Sequence, residues 1–231
     1  MMKTKTVGIV GCGWIGKPLA KLLSDTFTVE CFSRETTSDD SAFWQSDTII
    51  ISINTKDNYL KTLQKISTLA SKSSNIILMS SISVYREFDC EVDESVIITN
   101  IGLQREAEEL VGTLRDKLVI LRLGGLMGDD RVSGKWKSVS SFSDGEVNYI
   151  HRDDVINITK EIIKNQVVNG IYNLVASGHP LRSQVHKKNC EAFGLELGTF
   201  EGRTNRVVCS KKILKELDYT FLHPDPLEFW S

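Results

Sequence analysis

The feature that most constrains this chain is Gly11-Cys12-Gly13-Trp14-Ile15-Gly16. It follows a short β-prone run, Thr6 to Val10, and leads into Ile15, Leu19, Leu22 and Leu23, spaced i, i+4, i+7 and i+8 as on one helix face. In a G-x-G-x-x-G placed between strand and helix, the first glycine turns tightly and the second lets a pyrophosphate approach bare main chain. The third lets helix and strand pack closely. The helix end adds N–H groups and a positive dipole end for phosphates. Gly11 to Lys17 also spells G-x-x-x-x-G-K, the opening of a P-loop, but Pro18 stands where a Ser or Thr hydroxyl would hold Mg²⁺. The expectation is therefore a dinucleotide corner with Gly11, Gly13, Trp14, Ile15 and Gly16 against the cofactor.

The same alternation continues along the chain. Strands are expected at Thr28 to Phe32, Thr48 to Ile53, Ile76 to Ser80 and Leu118 to Leu123, with helices from about Asn58 to Ser71 and Gly102 to Leu114. Strands alternating with helices mean crossover connections, and apolar runs without period-2 alternation mean strands buried on both faces, so the sheet should be mainly parallel. The fold class is α/β, a Rossmann-like doubly wound sheet. Past Gly128 the pattern breaks over Asp129 to Gly145. It resumes with helices at Asp154 to Lys164, Ser183 to Phe193 and Lys211 to Leu217, and a strand near Gly170 to Val175. The whole chain, 1–231, is expected to be one domain with a small substrate-side lobe formed mainly by 129–150 and 176–231.

Composition removes several function classes. The 28 basic and 30 acidic residues leave a net charge of −2, no field for nucleic acid or an anionic membrane. Apolar stretches such as Thr48 to Ile53 fall far below the roughly 18 residues of a membrane span, and the N-terminal residues lack a signal's apolar stretch. A cytoplasmic protein is expected. Its five cysteines, an odd number at wide spacings without a C-x-x-C, are expected as reduced thiols. His179, His186 and His223 show no ligand spacing, so no metal is expected. The expected partner is a small-molecule substrate, and the aromatic C-terminus either covers the lobe or binds a second subunit as a homodimer.

Cofactor choice turns on the end of the second strand, where an acidic residue would grip the 2′-hydroxyl of an NAD ribose. That end carries Ser33 and Arg34 instead, a hydroxyl and a guanidinium suited to a 2′-phosphate. NADP is preferred over NAD, with the nicotinamide near Asn54, at the end of the Thr48 to Ile53 strand, and near Ser81.

Five further segments accompany the glycine corner: Met79-Ser80-Ser81-Ile82-Ser83-Val84-Tyr85, Val92-Asp93-Glu94, Leu121-Arg122-Leu123-Gly124 with Gly128, Tyr149-Ile150-His151-Arg152-Asp153-Asp154-Val155, and Gly170-Ile171-Tyr172-Asn173. Together they resemble the NAD-dependent epimerase/dehydratase branch of the short-chain dehydrogenase/reductase superfamily, extended or atypical type. The resemblance implies hydride transfer at a sugar-type or small carbonyl or alcohol substrate, with the catalytic serine at Ser81. It also exposes a departure. The family's tyrosine base and lysine fall on Asn100 and Gln104, and neither can do that acid–base work. Tyr85 is then either a displaced phenol or a packed wall residue. His151 and Asp93 are further alternatives for the proton, His151 otherwise being a structural member of an H-x-x-D segment. Arg122 is expected to hold the strand-end loop together. The other reading is a degenerate dinucleotide sensor without redox turnover. The short connection Glu35 to Asp47 implies that the family's third strand is reduced or missing, leaving Phe43 and Trp44 to cover the adenine side.

Overall fold

The computed structural model describes residues 5–32, 42–56, 58–86, 89–99, 101–135, 141–203 and 205–230. Ser33, Arg34 and Asn100 lie outside them. In chain order the first elements are β1 (Thr6–Val10), α1 (Gly16–Leu23), β2 (Thr28–Phe32), β3 (Thr48–Ile51), α2 (Tyr59–Leu69) and β4 (Asn75–Ser81). Then come β5 (Cys90–Val92), α3 (Leu103–Leu114), β6 (Leu118–Leu123), β7 (Gly125–Met127), β8 (Ser141–Asp144) and β9 (Tyr149–His151). The last are α4 (Arg152–Lys164), β10 (Gly170–Leu174), α5 (Arg182–Phe193), β11 (Thr199–Arg203), β12 (Arg206–Val208) and α6 (Lys211–Leu217). Among the described residues no helix is long and apolar enough to cross a membrane.

The chain divides into two compact units: Met1–Val84, Ile98–Arg122 and Ile156–Tyr172 form one, and Tyr85–Ile97, Leu123–Val155 and Asn173–Ser231 the other. The second unit takes in residues 85–97, from the middle of the sequence, together with 123–155 and 173–231.

In the first unit the sheet runs β10-β6-β4-β3-β1-β2. β1 pairs parallel with both β2 and β3, and β3 with β4. Every residue of β3 and β6 is buried, as strands covered on both faces must be. Among the described residues β2 is the edge of this sheet, and much of the connection expected to have reduced or lost the family's third strand, 33–41, lies outside them. Phe43 and Trp44 do not lie open toward a ligand; both are buried with Ile49, Ile51, Leu63 and Leu78, and Phe32 packs on them at ring distances of 5.3 Å each. Arg115 serves the C-terminal end of α2, where carbonyls have no helical partners. Its guanidinium donates to the carbonyls of Ser67, Ala70, Ser71 and Ser74.

The cysteine reading needs correction. Cys12 and Cys31 form a disulfide, while Cys90, Cys190 and Cys209 are free. Sequence spacing could not show it, because the pairing depends on strand register. β1 and β2 set Ile9 beside Cys31, and the turn three residues on brings Cys12 within 5.9 Å, Cα to Cα.

The second unit is built from two-stranded parallel pairs, β5 with β12, β7 with β9 and β8 with β11. Asn148 extends one of them with its side-chain amide, donating to the Arg206 carbonyl at 2.6 Å and accepting from the Val208 N–H at 2.7 Å. Asp144 caps α5 by accepting from the Ser183 N–H and hydroxyl. On α5, His186 is 2% exposed and packs between Phe142 and Phe200 at 4.6 and 5.4 Å. Burial, helped by Arg182 and opposed by Asp144, pushes its pKa down to about 4.

Two outcomes follow. The His186 pKa is depressed below the ordinary 6.5, so between about pH 6.5 and 4 the unfolded chain binds the extra proton. Its contribution to stability is therefore intact above pH 6.5 and declines as the pH falls through that window. Urea midpoints measured at pH 7 and pH 4.5 should differ less in His186→Gln than in the native chain. Separately, reducing a bridge that spans 19 residues should cost about 3 kcal/mol, roughly 6–12 °C in Tm for a chain of this size. Calorimetry with and without dithiothreitol checks this, and Cys31→Ser should melt like the reduced protein under both conditions.

Candidate dinucleotide site

The sheet order reverses at β1, which sends β2 to one side and β3 to the other. Ligands of open α/β sheets collect at such a switch point, beyond the carboxyl ends of the strands. Gly11 leaves β1 there with φ +97°, and its N–H donates to the Phe32 carbonyl at 3.0 Å. A Cβ on Gly11 would stand 2.2 Å from the Ser52 carbonyl oxygen beyond β3, and one on Gly16 would stand 2.2 Å from the Gly11 carbonyl oxygen. Those two glycines are therefore demanded by backbone packing. Gly13 is different: a Cβ there meets nothing within 4 Å. The folded chain does not need a glycine at 13, but a pyrophosphate lying against main chain does. Ile15 is buried and Trp14 half-buried at the start of α1, and the Lys17 N–H donates to the Gly13 carbonyl, closing the first turn.

The other residues assigned to this site leave the same sheet edge. Asn54 lies three residues past Ile51 and Ser81 three past Leu78, and Ile51 and Leu78 are register partners of β3 and β4. Asn54 is exposed, and Ser81 is half-buried. The Ser81 hydroxyl accepts from the Ser83 N–H at 3.1 Å, which orients the oxygen and leaves its proton to donate.

Beneath Ser81 lies a network that sequence reasoning missed. Ser80 donates to Glu108 Oε1 at 2.5 Å, and Arg122 grips the same carboxylate through Nε at 3.1 Å and Nη2 at 2.7 Å. Glu108 and Arg122 are both buried. Arg122 thus ties β6 to α3. The available signal was Glu108 itself, an acid beside Ala107 on the inward face of α3. Gln104, at the lysine position, sits one turn earlier in α3 and is half-buried. The Tyr59 phenol feels this network: burial, then the Glu108 charge, push its pKa up to about 12.

In the second unit the Tyr85 phenol is 2% exposed and donates to Asn173 Oδ1 at 2.9 Å, while Asn173 donates in turn to the Cys209 carbonyl. That is the packed wall position rather than a poised base. Asp93 is exposed, and its carboxylate accepts from the Ser95 N–H and hydroxyl, which hold its pKa below the usual range. His151 is buried; burial, and next the His223 charge, lower its pKa.

With this geometry in hand, comparison with known proteins places the chain. It is 30% identical over 270 residues to Protein YeeZ of Escherichia coli K12, covering 96% of this chain and 98% of that one. The chain belongs to the YeeZ family. Its fold is that of the NAD-dependent epimerase/dehydratase branch of the short-chain dehydrogenase/reductases. The human epimerase family protein SDR39U1 with NADPH superposes at TM-score 0.74 with 16% identity, covering 96% of each chain. UDP-glucuronic acid 4-epimerase of Bacillus cereus, in complex with NAD, gives 0.75 with 15% identity and the same coverage. ADP-L-glycero-D-manno-heptose-6-epimerase of Helicobacter pylori gives 0.74 with 16% identity, covering 98% of this chain and 93% of that one. No protein-family model matches the sequence.

The different demands on the three glycines are measurable. Gly16→Ala should destabilise severely, because the clash is backbone on backbone, whereas Gly13→Ala should stay within about 0.5 kcal/mol of the native chain, as at an open surface position. Paired denaturant melts decide it.

Proposed function

We propose that this chain binds a nicotinamide dinucleotide across Gly11 to Gly16 and acts as an atypical short-chain oxidoreductase or epimerase-like enzyme. Its substrate would be a small carbonyl or alcohol, or a sugar-type molecule. The observation that carries this reading is Gly13, a glycine whose side-chain space the protein leaves open where a pyrophosphate would lie. NADP is favoured over NAD by Ser33 and Arg34 in the sequence, and among the structural relatives one was solved with NADPH and another with NAD.

The bound coenzyme would supply or accept a hydride. Gly11, Gly13 and the start of α1 would hold its phosphates with backbone N–H groups and the helix dipole. Asn54 would face the nicotinamide end, and the Ser81 hydroxyl, oriented by Ser83, would donate to the reacting oxygen as charge develops there. The Ser80–Glu108–Arg122 network would keep β4 and α3 fixed beneath that serine.

A second reading, a dinucleotide sensor without turnover, is favoured by Gln104. An uncharged amide there cannot stabilise a phenolate as the family lysine does.

Fluorescence titration with NADPH and NADH, followed by a screen of carbonyl substrates for coenzyme oxidation, separates these readings. Both coenzymes should bind, NADPH more tightly, and Gly13→Ala should weaken binding at least tenfold. Ser81→Ala should keep binding and lose about 10²-fold or more in turnover, the usual cost of one donor to a developing oxyanion. Binding with no turnover on any substrate selects the sensor, and no binding of either coenzyme by folded protein removes both readings.

A further inference from the structure

In the second unit, His151 at the end of β9, Asp153 in the first turn of α4 and His223 after α6 converge. One donor atom from each lies within 4.8 Å of the other two. His151 Nδ1 is 3.8 Å from Asp153 Oδ2, His223 Nε2 is 4.0 Å from that same oxygen, and the two imidazole centroids are 3.8 Å apart. We propose that these three side chains form a binding site for a divalent transition-metal ion of the zinc class. The proposal is independent of the dinucleotide reading.

The donor set fits that ion. Two imidazole nitrogens and one carboxylate oxygen suit zinc, cobalt or nickel better than magnesium or calcium, and three protein ligands leave a fourth position for water. Ligands about 2.0–2.1 Å from a tetrahedral zinc stand about 3.3 Å apart, so gaps of 3.8 and 4.0 Å close with small side-chain rotations. His151 Nδ1 accepts a long bond, 3.3 Å, from the Asp153 N–H, so the ring proton sits on Nε2 and Nδ1 carries the lone pair, which an ion would take in exchange for that weak bond. Asp153 and His223 retain 44% and 32% side-chain exposure, which gives an ion a way in.

The surroundings hold the donors where a cation would use them, as the supporting groups of metal sites do. Buried Asp154 accepts from the Leu222 and His223 N–H groups and the Tyr219 hydroxyl, which fixes the segment carrying His223. Arg152 approaches Asp153 on its Oδ1 at 3.6 Å, whereas the histidines approach Oδ2, and Arg152 is itself paired with Asp129 at 2.5 Å. Three carboxylates against one guanidinium give the locality the negative balance a dication requires. At Gly128 a Cβ would stand 2.9 Å from His151 Nε2, so this glycine keeps the ring's other edge clear.

The untagged full chain is dialysed against ZnCl₂, CoCl₂ and MgCl₂ in turn. One zinc or cobalt ion per chain should bind, with a higher Tm and, for cobalt, a visible band of a low-coordinate nitrogen and oxygen site. Magnesium should not bind saturably. His223→Gln and Asp153→Asn should each weaken zinc at least tenfold and abolish the cobalt band. Undiminished zinc binding in both variants would place the ion elsewhere, for instance on Cys90, Cys190 or Cys209, and would overturn the proposal. So would an absence of saturable binding, or a cobalt spectrum dominated by the intense charge-transfer absorption of thiolate ligands. Should a variant unfold, the cobalt spectrum of the native chain decides alone.

Discussion

The first unit depends on a main-chain contact that only glycine permits. At the switch point of the sheet, Gly11 turns at positive φ against the carbonyl beyond β3, and Gly16 brings the start of α1 against the carbonyl of Gly11. Neither contact leaves room for a Cβ. These two approaches seat the start of α1 and the end of β3 against the turn that leaves β1. Gly13, between them, is under no such demand, so the corner separates what the fold requires from what a ligand requires within six residues.

The second constraint is the buried carboxylate of Glu108. Removing a charge from water is costly unless it is paired and fully hydrogen-bonded, and here Arg122 forks it while Ser80 donates from the neighbouring strand. The arrangement fixes α3 on β4 and β6, and so fixes the end of β4 that presents Ser81. In a chain whose α3 carries Gln104 rather than a lysine in its first turn, positional order at this edge is retained while the charged partner of a phenolic base is not. Scaffold and proton chemistry are separable here because they rest on different residues of one helix.

Much of the first unit was legible because its strands are continuous apolar runs and its helices carry apolar residues at helical spacing. β1, β2 and β6 run over the residues expected, and β3, α2, β4 and α3 differ from expectation by only one or two residues at their ends. The second unit was far less so. β5, β7, β8, β9, β11 and β12 have three to five residues each and pair only in twos, too short for a pattern to announce itself. The glycine corner could be placed from spacing alone because its function lies in consecutive backbone positions. The Cys12–Cys31 bridge, the Glu108 network and the His151–Asp153–His223 cluster join residues far apart in sequence, and only register or tertiary packing brings them together.

The shortened stretch after β2 makes that bridge more than an ornament of the corner. With no described strand outside it, β2 is an edge strand in which no residue is fully buried, yet its end must stand firmly where a dinucleotide ribose would be read. Two devices fasten it. On one face Phe32 packs on Phe43 and Trp44, which turns the residues expected to cover an adenine into an anchor within the core. Cys31, adjacent in sequence and so directed to the opposite face, is bonded to Cys12 of the glycine corner itself. An edge strand of the described sheet is thereby fixed from both faces, and the spacing between the glycine corner and the strand end is set by a covalent link.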